Sequence, residues 1–247
     1  MAQEPPPLQN PSSRVKTITP GPFSRLAIGV GVSAMGINMQ AAVNANRYLN
    51  LRGIGNFFNY TDNNISTNGF NLSAKLNLAS AGAALDYYPF PNHGLRLSPG
   101  VLFYNQNAVD GTIVAPGGTS FTLNNATYYS SQSNPVTGVA SVVLNRQKPA
   151  PTATIGWGNM IPRSGGHWSL PFELGAAYIG KPELAMQFVS GQVCTNPQGT
   201  IGCQNVVGNQ EVNNNLQAQL AKDNKNLAPL RFYPIVSFGV AYSFRIR

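Results

Sequence analysis

The C-terminal segment, Arg231 to Arg247, alternates between large apolar residues and small or polar ones. A period of two is that of a β-strand with unlike faces. One face carries large apolar residues, namely Val236, Phe238, Val240, Tyr242, Phe244 and Ile246, and the other carries Ser237, Gly239, Ala241, Ser243 and Arg245. Small residues suit the crowded interior of a narrow barrel, so we predict that the large apolar face points outward, toward lipid.

Similar alternation predicts about eight strands, at 23–33, 36–43, 48–60, 70–88, 95–104, 152–159, 168–179 and 231–247. The alternation of apolar and small residues shifts by one position between Ser33 and Gly36. The first two segments are therefore predicted to be separate strands joined by a tight hairpin. A second change of phase, inside 70–88, predicts a β-bulge near Ser80. Residues 62–68 are predicted to form a loop.

The connections between these strands alternate in length. Those at 44–47, 89–94 and 160–167 are short, and those at 61–69, 109–149 and 190–230 are longer. Short turns at one end and long loops at the other are typical of outer-membrane barrels. Within the long loops, Phe121 to Tyr129 and Val139 to Leu144 are predicted to extend barrel strands, and Asn213 to Leu227 to form a short helix.

The composition is typical of a membrane protein that crosses the bilayer with β-strands. Charged residues make up 10% of the chain, against roughly 25% in ordinary soluble domains. No stretch approaches the roughly 18 consecutive apolar residues of a transmembrane helix. The net charge of +8 comes from scattered Lys and Arg rather than a basic run, so we expect no nucleic-acid binding.

The N-terminal residues, 1–22, are rich in Pro and polar residues, and we predict a flexible leader before a barrel domain at 23–247. The start has neither the basic nor the apolar region of a signal peptide. Ala2-Gln3-Glu4 resembles the start of an exported protein after cleavage. We therefore expect a mature form whose signal peptide has been removed, with Met1 added for expression.

The two cysteines, Cys194 and Cys203, lie in a polar segment with no histidine nearby that could complete a zinc site. A disulfide in an outer loop is the favoured interpretation, which implies an oxidising compartment. The alternative is a pair of free thiols in a cytosolic loop. No metal site is predicted.

Several segments together resemble small bacterial outer-membrane barrels, namely LDYYPF, LRLSPG, ATIGWGN, PFELGAAYIG and FYPIVSFGVAYSF. They are similar to OmpW-like and OmpA-like proteins, including the ornithine-uptake porin group. The resemblance covers about residues 23 to 247. It implies a monomeric eight-stranded barrel in the outer membrane of a Gram-negative bacterium, with both termini in the periplasm, and it does not fix a substrate.

Four charged residues fall on the predicted inward face: Arg52, Asp86, Arg96 and Glu173. Asp86 and Arg96 flank one short turn, so we expect them to be neighbours across adjacent strands. Because buried charges are tolerated only when paired, a structural ion-pair network is the first interpretation. A polar constriction that selects small solutes is the alternative.

No enzyme is predicted, because His93 and His167 both fall in short turns and no catalytic constellation is present. No cofactor is expected. The fold class is all-β, a closed antiparallel transmembrane β-barrel of about eight strands with long outer loops. Its rival is a soluble lipocalin-like barrel. The expected role is structural or surface-interaction, with a narrow porin-like channel for small polar solutes as the alternative and outer-membrane lipid as the surrounding partner.

Overall fold

The structure is a computed structural model that describes residues 21–144 and 149–246. It contains strands and one helix, α1 (Gln210–Leu227). The strands are β1 (Arg25–Ser33), β2 (Gly36–Asn44), β3 (Leu49–Thr67), β4 (Phe70–Tyr87), β5 (Arg96–Asn105), β6 (Ala108–Ala115), β7 (Ser120–Leu123), β8 (Ala126–Ser130), β9 (Val136–Val143), β10 (Ala150–Trp157), β11 (Trp168–Ser169), β12 (Phe172–Tyr178), β13 (Glu183–Ser190), β14 (Gln192–Cys194), β15 (Gln204–Asn205) and β16 (Phe232–Arg245).

Eight of the strands close into a ring in which every strand is antiparallel to both neighbours. The order around the ring is β1, β2, β3, β4, β5, β10, β12 and β16, and β16 pairs again with β1. Closure leaves the barrel no free sheet edge. The predicted fold class, a closed antiparallel barrel of about eight strands, is confirmed.

The two faces of the closing strand β16 differ as the sequence predicts. Val236, Phe238 and Val240 are 44%, 54% and 37% exposed, whereas Ser237 and Ser243 are buried. The other ring strands also expose large apolar residues, among them Ile28, Val30, Met39, Leu51, Leu85, Leu97, Phe103, Ile155 and Leu174. The large apolar side chains therefore cover the outside of the barrel instead of lining a cavity, contrary to the lipocalin-like alternative.

The predicted loop at 62–68 is wrong, because β3 continues to Thr67 and pairs with β4 over its whole length. A β-bulge between Asp62 and Ile65 bends this outer part of the strand. The turn that follows is Asn68-Gly69, with φ of 51° and 81°. Asn-Gly is the preferred pair for a tight hairpin whose two central residues need positive φ, so two residues suffice where a loop was expected.

The predicted bulge near Ser80 needs correction. The pairing of β4 with β5 does shift between Ala81 and Gly82, but the extra residue is Phe103, which lies in β5. The large apolar residues change from one face of β4 to the other for a different reason. Near the short turns the lumen-facing positions are Asp86 and neighbouring small residues, whereas the same face beyond the barrel packs on apolar residues of the outer loops.

The long loops, residues 108–143 and 183–227, fold together at the end of the barrel opposite the short turns. We call this unit the outer domain. β6, β9 and β13 continue the sheet from the outer half of β4, and β7, β8, β14 and β15 form a second sheet. A shared core packs the two sheets on α1, with Val206, Val212, Leu216 and Leu220 buried in it. The helix begins three residues before its predicted start, because the side chain of Asn209 caps it by accepting a hydrogen bond from the backbone N–H of Val212.

The predicted disulfide is present. Cys194 at the end of β14 is bonded to Cys203, nine residues further along the chain. Because β14 pairs with β8, the bond closes a loop within the outer domain and lies outside the barrel ladder.

Reduction of this disulfide is therefore expected to loosen the outer domain without unfolding the barrel. In the chain-entropy model a loop of this length contributes about 2 to 3 kcal/mol. Limited proteolysis with and without reductant should show new cleavage between 191 and 209, while the barrel keeps its β-sheet circular dichroism. Loss of the barrel signal on reduction would contradict this, and the Cys194→Ser/Cys203→Ser variant without reductant is the control.

The proposed leader, residues 1–22, lies outside the described residues except for Gly21 and Pro22. The carbonyl oxygen of Gly21 accepts hydrogen bonds from the side chains of Ser24 and Asn44. The chain therefore enters β1 at the end of the barrel that also carries the short connections and the end of β16. Over the described ranges, no helix has the length and apolar character needed to cross a membrane.

Candidate functional site

The lumen of the barrel contains the four charged residues that the alternation predicts to face inward. Arg52, Asp86, Arg96 and Glu173 come from β3, β4, β5 and β12, and none is more than 4% exposed. Each sits on the lumen face because it shares the parity of the small or polar positions of its strand. Two positive and two negative charges meet in one place with no net charge.

Glu173 joins the two arginines. Its Oε2 atom lies 2.6 Å from Nη2 of Arg52 and 2.8 Å from Nη2 of Arg96. Charge-assisted contacts of this length are among the stronger hydrogen bonds in proteins. Because β12 and β3 are on different sides of the ring, this one carboxylate ties together strands that are not neighbours and closes the lumen across its width.

Asp86 pairs differently from the sequence expectation. Its Oδ1 atom accepts hydrogen bonds from Nε of Arg52 at 3.0 Å and from Oγ of Ser98 at 2.6 Å. Arg96, which was expected beside Asp86, makes its ion pair with Glu173 instead. The strands tilt in a closed barrel, so residues near one turn can point at different partners across the lumen.

A column of neutral polar side chains continues from the ion pairs toward the outer loops. Nη1 of Arg52 donates to Gln40, whose amide donates to Asn38. Asn38 donates to Asn56 at 2.7 Å, and Asn56 donates to Ser80 at 3.0 Å. The column ends beneath Met35, which is buried and whose sulfur accepts from Asn56 and Ser80.

The short-turn end of the lumen is closed by a second polar group. Asn50 donates to Oδ1 of Asn159 at 3.1 Å, and Nη2 of Arg163 donates to Oδ1 of Asn50 at 3.0 Å. The buried ring of Tyr88 lies beside them, with the guanidinium carbon of Arg163 at 5.8 Å from its centroid. Side chains therefore fill the lumen above and below the ion pairs.

The free space left inside the barrel is small. A cavity of about 30 Å³ lies beside Arg52, Glu173 and Ser98. A water needs roughly 10 to 15 Å³ of such volume, so the cavity has room for about two waters. Oδ2 of Asp86 and Nε of Arg96 are buried without a hydrogen-bond partner in the described residues, and waters of this kind are their natural partners.

Sequence reasoning missed the neutral part of this site. Asn38, Gln40 and Asn56 have the inward parity of their strands, so alternation alone could have identified them. Tyr88 ends the predicted strand 70–88 and has the inward parity of Asp86, so alternation could have identified it as well. Arg163 carries no such signal, because it lies in a short connection where the period of two ends.

The two histidines lie away from the ion pairs. His93 is in the 88–95 connection, where its backbone N–H bonds to Phe90. Nδ1 of His167 donates to the carbonyl oxygen of Ser243 at 2.7 Å, and its ring stacks on Tyr242. Across residues 21–144 and 149–246, no cluster of three or more His, Cys, Asp or Glu side chains could hold a metal ion.

Comparisons with known proteins identify solved structures with a similar fold. No protein-family model matches the sequence, and no curated protein matches it. Two crystal structures from Acinetobacter baumannii do match. CarO is 19% identical with a TM-score of 0.57, over 90% of this chain and 98% of its own. CarO2 is 17% identical with a TM-score of 0.58, over 90% of this chain and 99% of its own. This chain therefore has the same β-barrel fold as CarO and CarO2.

Proposed function

We propose that this protein is an outer-membrane β-barrel with a sealed lumen, whose role is structural or surface-interaction. The observation that carries the proposal is the contact of Glu173 with both Arg52 and Arg96 across the lumen. An eight-stranded barrel is just wide enough for side chains to fill, and here they leave about 30 Å³ beside the ion pairs. The barrel then serves as a rigid support for the outer domain.

The outer membrane is the proposed location because of the barrel's outer surface. Exposed Val, Ile, Leu and Phe side chains surround it, which would be costly in water and is favourable in lipid. Trp157, Trp168 and Tyr242 are exposed near the short turns, and Tyr178 packs on Phe232 near the long loops. Aromatic residues at both rims form the girdles of such barrels.

The proposed orientation puts both termini and the short turns in the periplasm and the outer domain outside the cell. Short periplasmic turns and longer extracellular loops are the usual arrangement. A closed ring has no edge that needs a second copy, so we propose a monomer surrounded by outer-membrane lipid.

A narrow channel for small polar solutes is the second candidate. The observation in its favour is the polar column of Asn38, Gln40 and Asn56, because a barrel serving only as a support could be filled with apolar side chains. To conduct, the barrel would have to separate Glu173 from at least one arginine.

Conductance measurements distinguish the two candidates. The purified protein, inserted into planar bilayers in potassium chloride, is expected to show no steady open state, because the ion pairs and the buried Met35 block the lumen. Reproducible openings of a single size that depend on added protein would favour the channel. Protein with Val30→Arg, which is expected to insert poorly, is a control for leakage caused by contaminants.

A further inference from the structure

A second cavity, of about 490 Å³, opens at the short-turn end of the barrel. It lies between the 88–95 connection and the 158–167 connection. Its lining residues are Pro91, Asn92, His93, Gly94, Asn159, Pro162, Arg163, Ser164 and Ser169. We call it the short-turn pocket. It is separate from the small cavity beside the ion pairs, and neither proposed function uses it.

Three residues that line the short-turn pocket carry buried polar atoms without partners. These atoms are Nδ2 of Asn159, Nε and Nη1 of Arg163, and Oγ of Ser169, none of which has a hydrogen-bond partner among the described residues. Asn159 is only 8% exposed. Buried donors are rarely left unpaired, and each such group calls for an explanation. Here four such atoms belong to three residues that line one cavity.

The unpaired atoms share one chemistry. The nitrogens of Asn159 and Arg163 are donors only, and the hydroxyl of Ser169 can also donate. A metal cation would find no suitable ligand among those nitrogens, whereas an oxygen-rich anion could accept from all of them. The other atoms of these side chains are already engaged, since Nη2 of Arg163 bonds Asn46 and Asn50, and Oδ1 of Asn159 accepts from Ile161 and Asn50.

The positive charge around the pocket also favours an anion as the ligand. Arg163 lies close enough to Arg25 and Arg47 for their charges to act on it, and none of the three is paired with a carboxylate among the described residues. Burial lowers the pKa of Arg163, Tyr88 acts in the opposite direction, and the guanidinium groups of Arg25 and Arg47 lower it further. A bound negative charge would relieve this repulsion.

We propose that the short-turn pocket binds a small oxyanion, a carboxylate or a phosphate group, held by Arg163, Asn159 and Ser169. Charge-assisted hydrogen bonds from a guanidinium to such groups are strong. The proposal stands whether or not the barrel conducts.

Access to the donors requires a small movement, because their atoms are nearly covered from solvent. The 158–167 connection can supply it. Gly165 has positive φ and open space where a Cβ would be, so the connection has room to move there. Its end is held by hydrogen bonds that Ser243 donates to the carbonyl oxygens of Gly166 and His167. Binding and a slight opening of the connection are then coupled.

The test measures anion binding by the full chain in a maltoside detergent that contains no phosphate. Inorganic phosphate and acetate are titrated by calorimetry at constant ionic strength in chloride, and thermal stability is followed in parallel. Wild-type protein is expected to saturate with at least one of them. Arg163→Gln is expected to weaken binding about tenfold or more, as loss of a charged hydrogen bond would. Arg47→Gln, which removes the same charge outside the pocket, should change it less than about threefold.

Ser169→Ala provides a second variant that should fold. It removes an unpaired hydroxyl, so thermal stability in chloride should be unchanged or higher, while anion affinity should fall severalfold. Unchanged affinity in Ser169→Ala together with Arg163→Gln would overturn the site and leave these atoms as hydration positions. Equal losses in Arg47→Gln and Arg163→Gln would overturn it in favour of general charge screening.

The source of the anion is distinguished by vesicles. The protein is reconstituted in phosphatidylcholine with or without phosphatidylglycerol, and its melting temperature is compared with that of Arg163→Gln. Stabilisation by phosphatidylglycerol that Arg163→Gln abolishes supports the headgroup phosphate of an anionic lipid as ligand. Saturation by acetate or inorganic phosphate alone supports a soluble anion. If neither condition gives an effect that depends on Arg163, the proposal is wrong.

Discussion

Replacing Glu173 by glutamine is expected to lower the free energy of unfolding by about 3 to 5 kcal/mol, the usual cost of breaking a buried ion pair. The reason is that one carboxylate oxygen serves Arg52 at 2.6 Å and Arg96 at 2.8 Å. Without its charge, Asp86 is the carboxylate that remains near the two buried guanidinium groups, and it is paired with Arg52 and not with Arg96. Denaturant titration of protein reconstituted in lipid vesicles measures the change.

Two variants control this experiment. Glu211→Gln removes a carboxylate of the same kind from the exposed first turn of α1, and its cost should stay within about 0.5 kcal/mol. Glu173→Gln combined with Arg96→Gln restores the balance of charge, so the double variant should be more stable than the sum of the single changes predicts. Strict additivity would mean that the two residues do not act as a pair.

The Glu173→Gln variant also distinguishes the two proposed functions. If the ion pairs only fill the lumen, Glu173→Gln should leave the bilayer conductance near that of the wild type. If they are a gate, removing one charge should alter ion flux or charge preference, as charged rings do in pores. If Glu173→Gln changes neither the melting temperature nor the bilayer conductance, both interpretations of Glu173 are wrong.

The sequence predicted the barrel well because its strands follow one rule over most of their length. Large apolar residues face outward and small or polar residues face inward, which predicts that Glu173, Arg52 and Asp86 face the lumen. The structure places all three there. Which charges touch was predicted less well. Asp86 was assigned to Arg96 by sequence proximity, but partners across a tilted, closed lumen depend on the register of all eight strands, which alternation does not give.

The outer domain was the least predictable part, and β4 shows why. Its face changes environment along one continuous strand, from the lumen at Asp86 to the apolar core of the outer domain at Phe70. The resulting change in the apolar pattern suggests an extra residue in β4, whereas the extra residue at this point is Phe103 of β5. Arg163 illustrates a second limit, because a residue in a turn has no period that could indicate where its side chain points.

The outer surface of the barrel offers the last prediction, in which Val30→Arg is expected to cost about 2 to 4 kcal/mol of folding free energy in bilayers. Val30 is near the middle of β1, is 52% exposed, and pairs with Val240 and Met39, whose side chains also point outward. An arginine there must be buried in hydrocarbon or reach for the interface. Val207→Arg, at a valine outside the barrel that is 51% exposed, is the matched control and should cost less than about 0.5 kcal/mol. Urea titrations of folding into phosphatidylcholine vesicles compare them. Equal costs for the two arginines would mean that the exposed apolar surface does not face lipid, and the proposed outer-membrane location would be wrong.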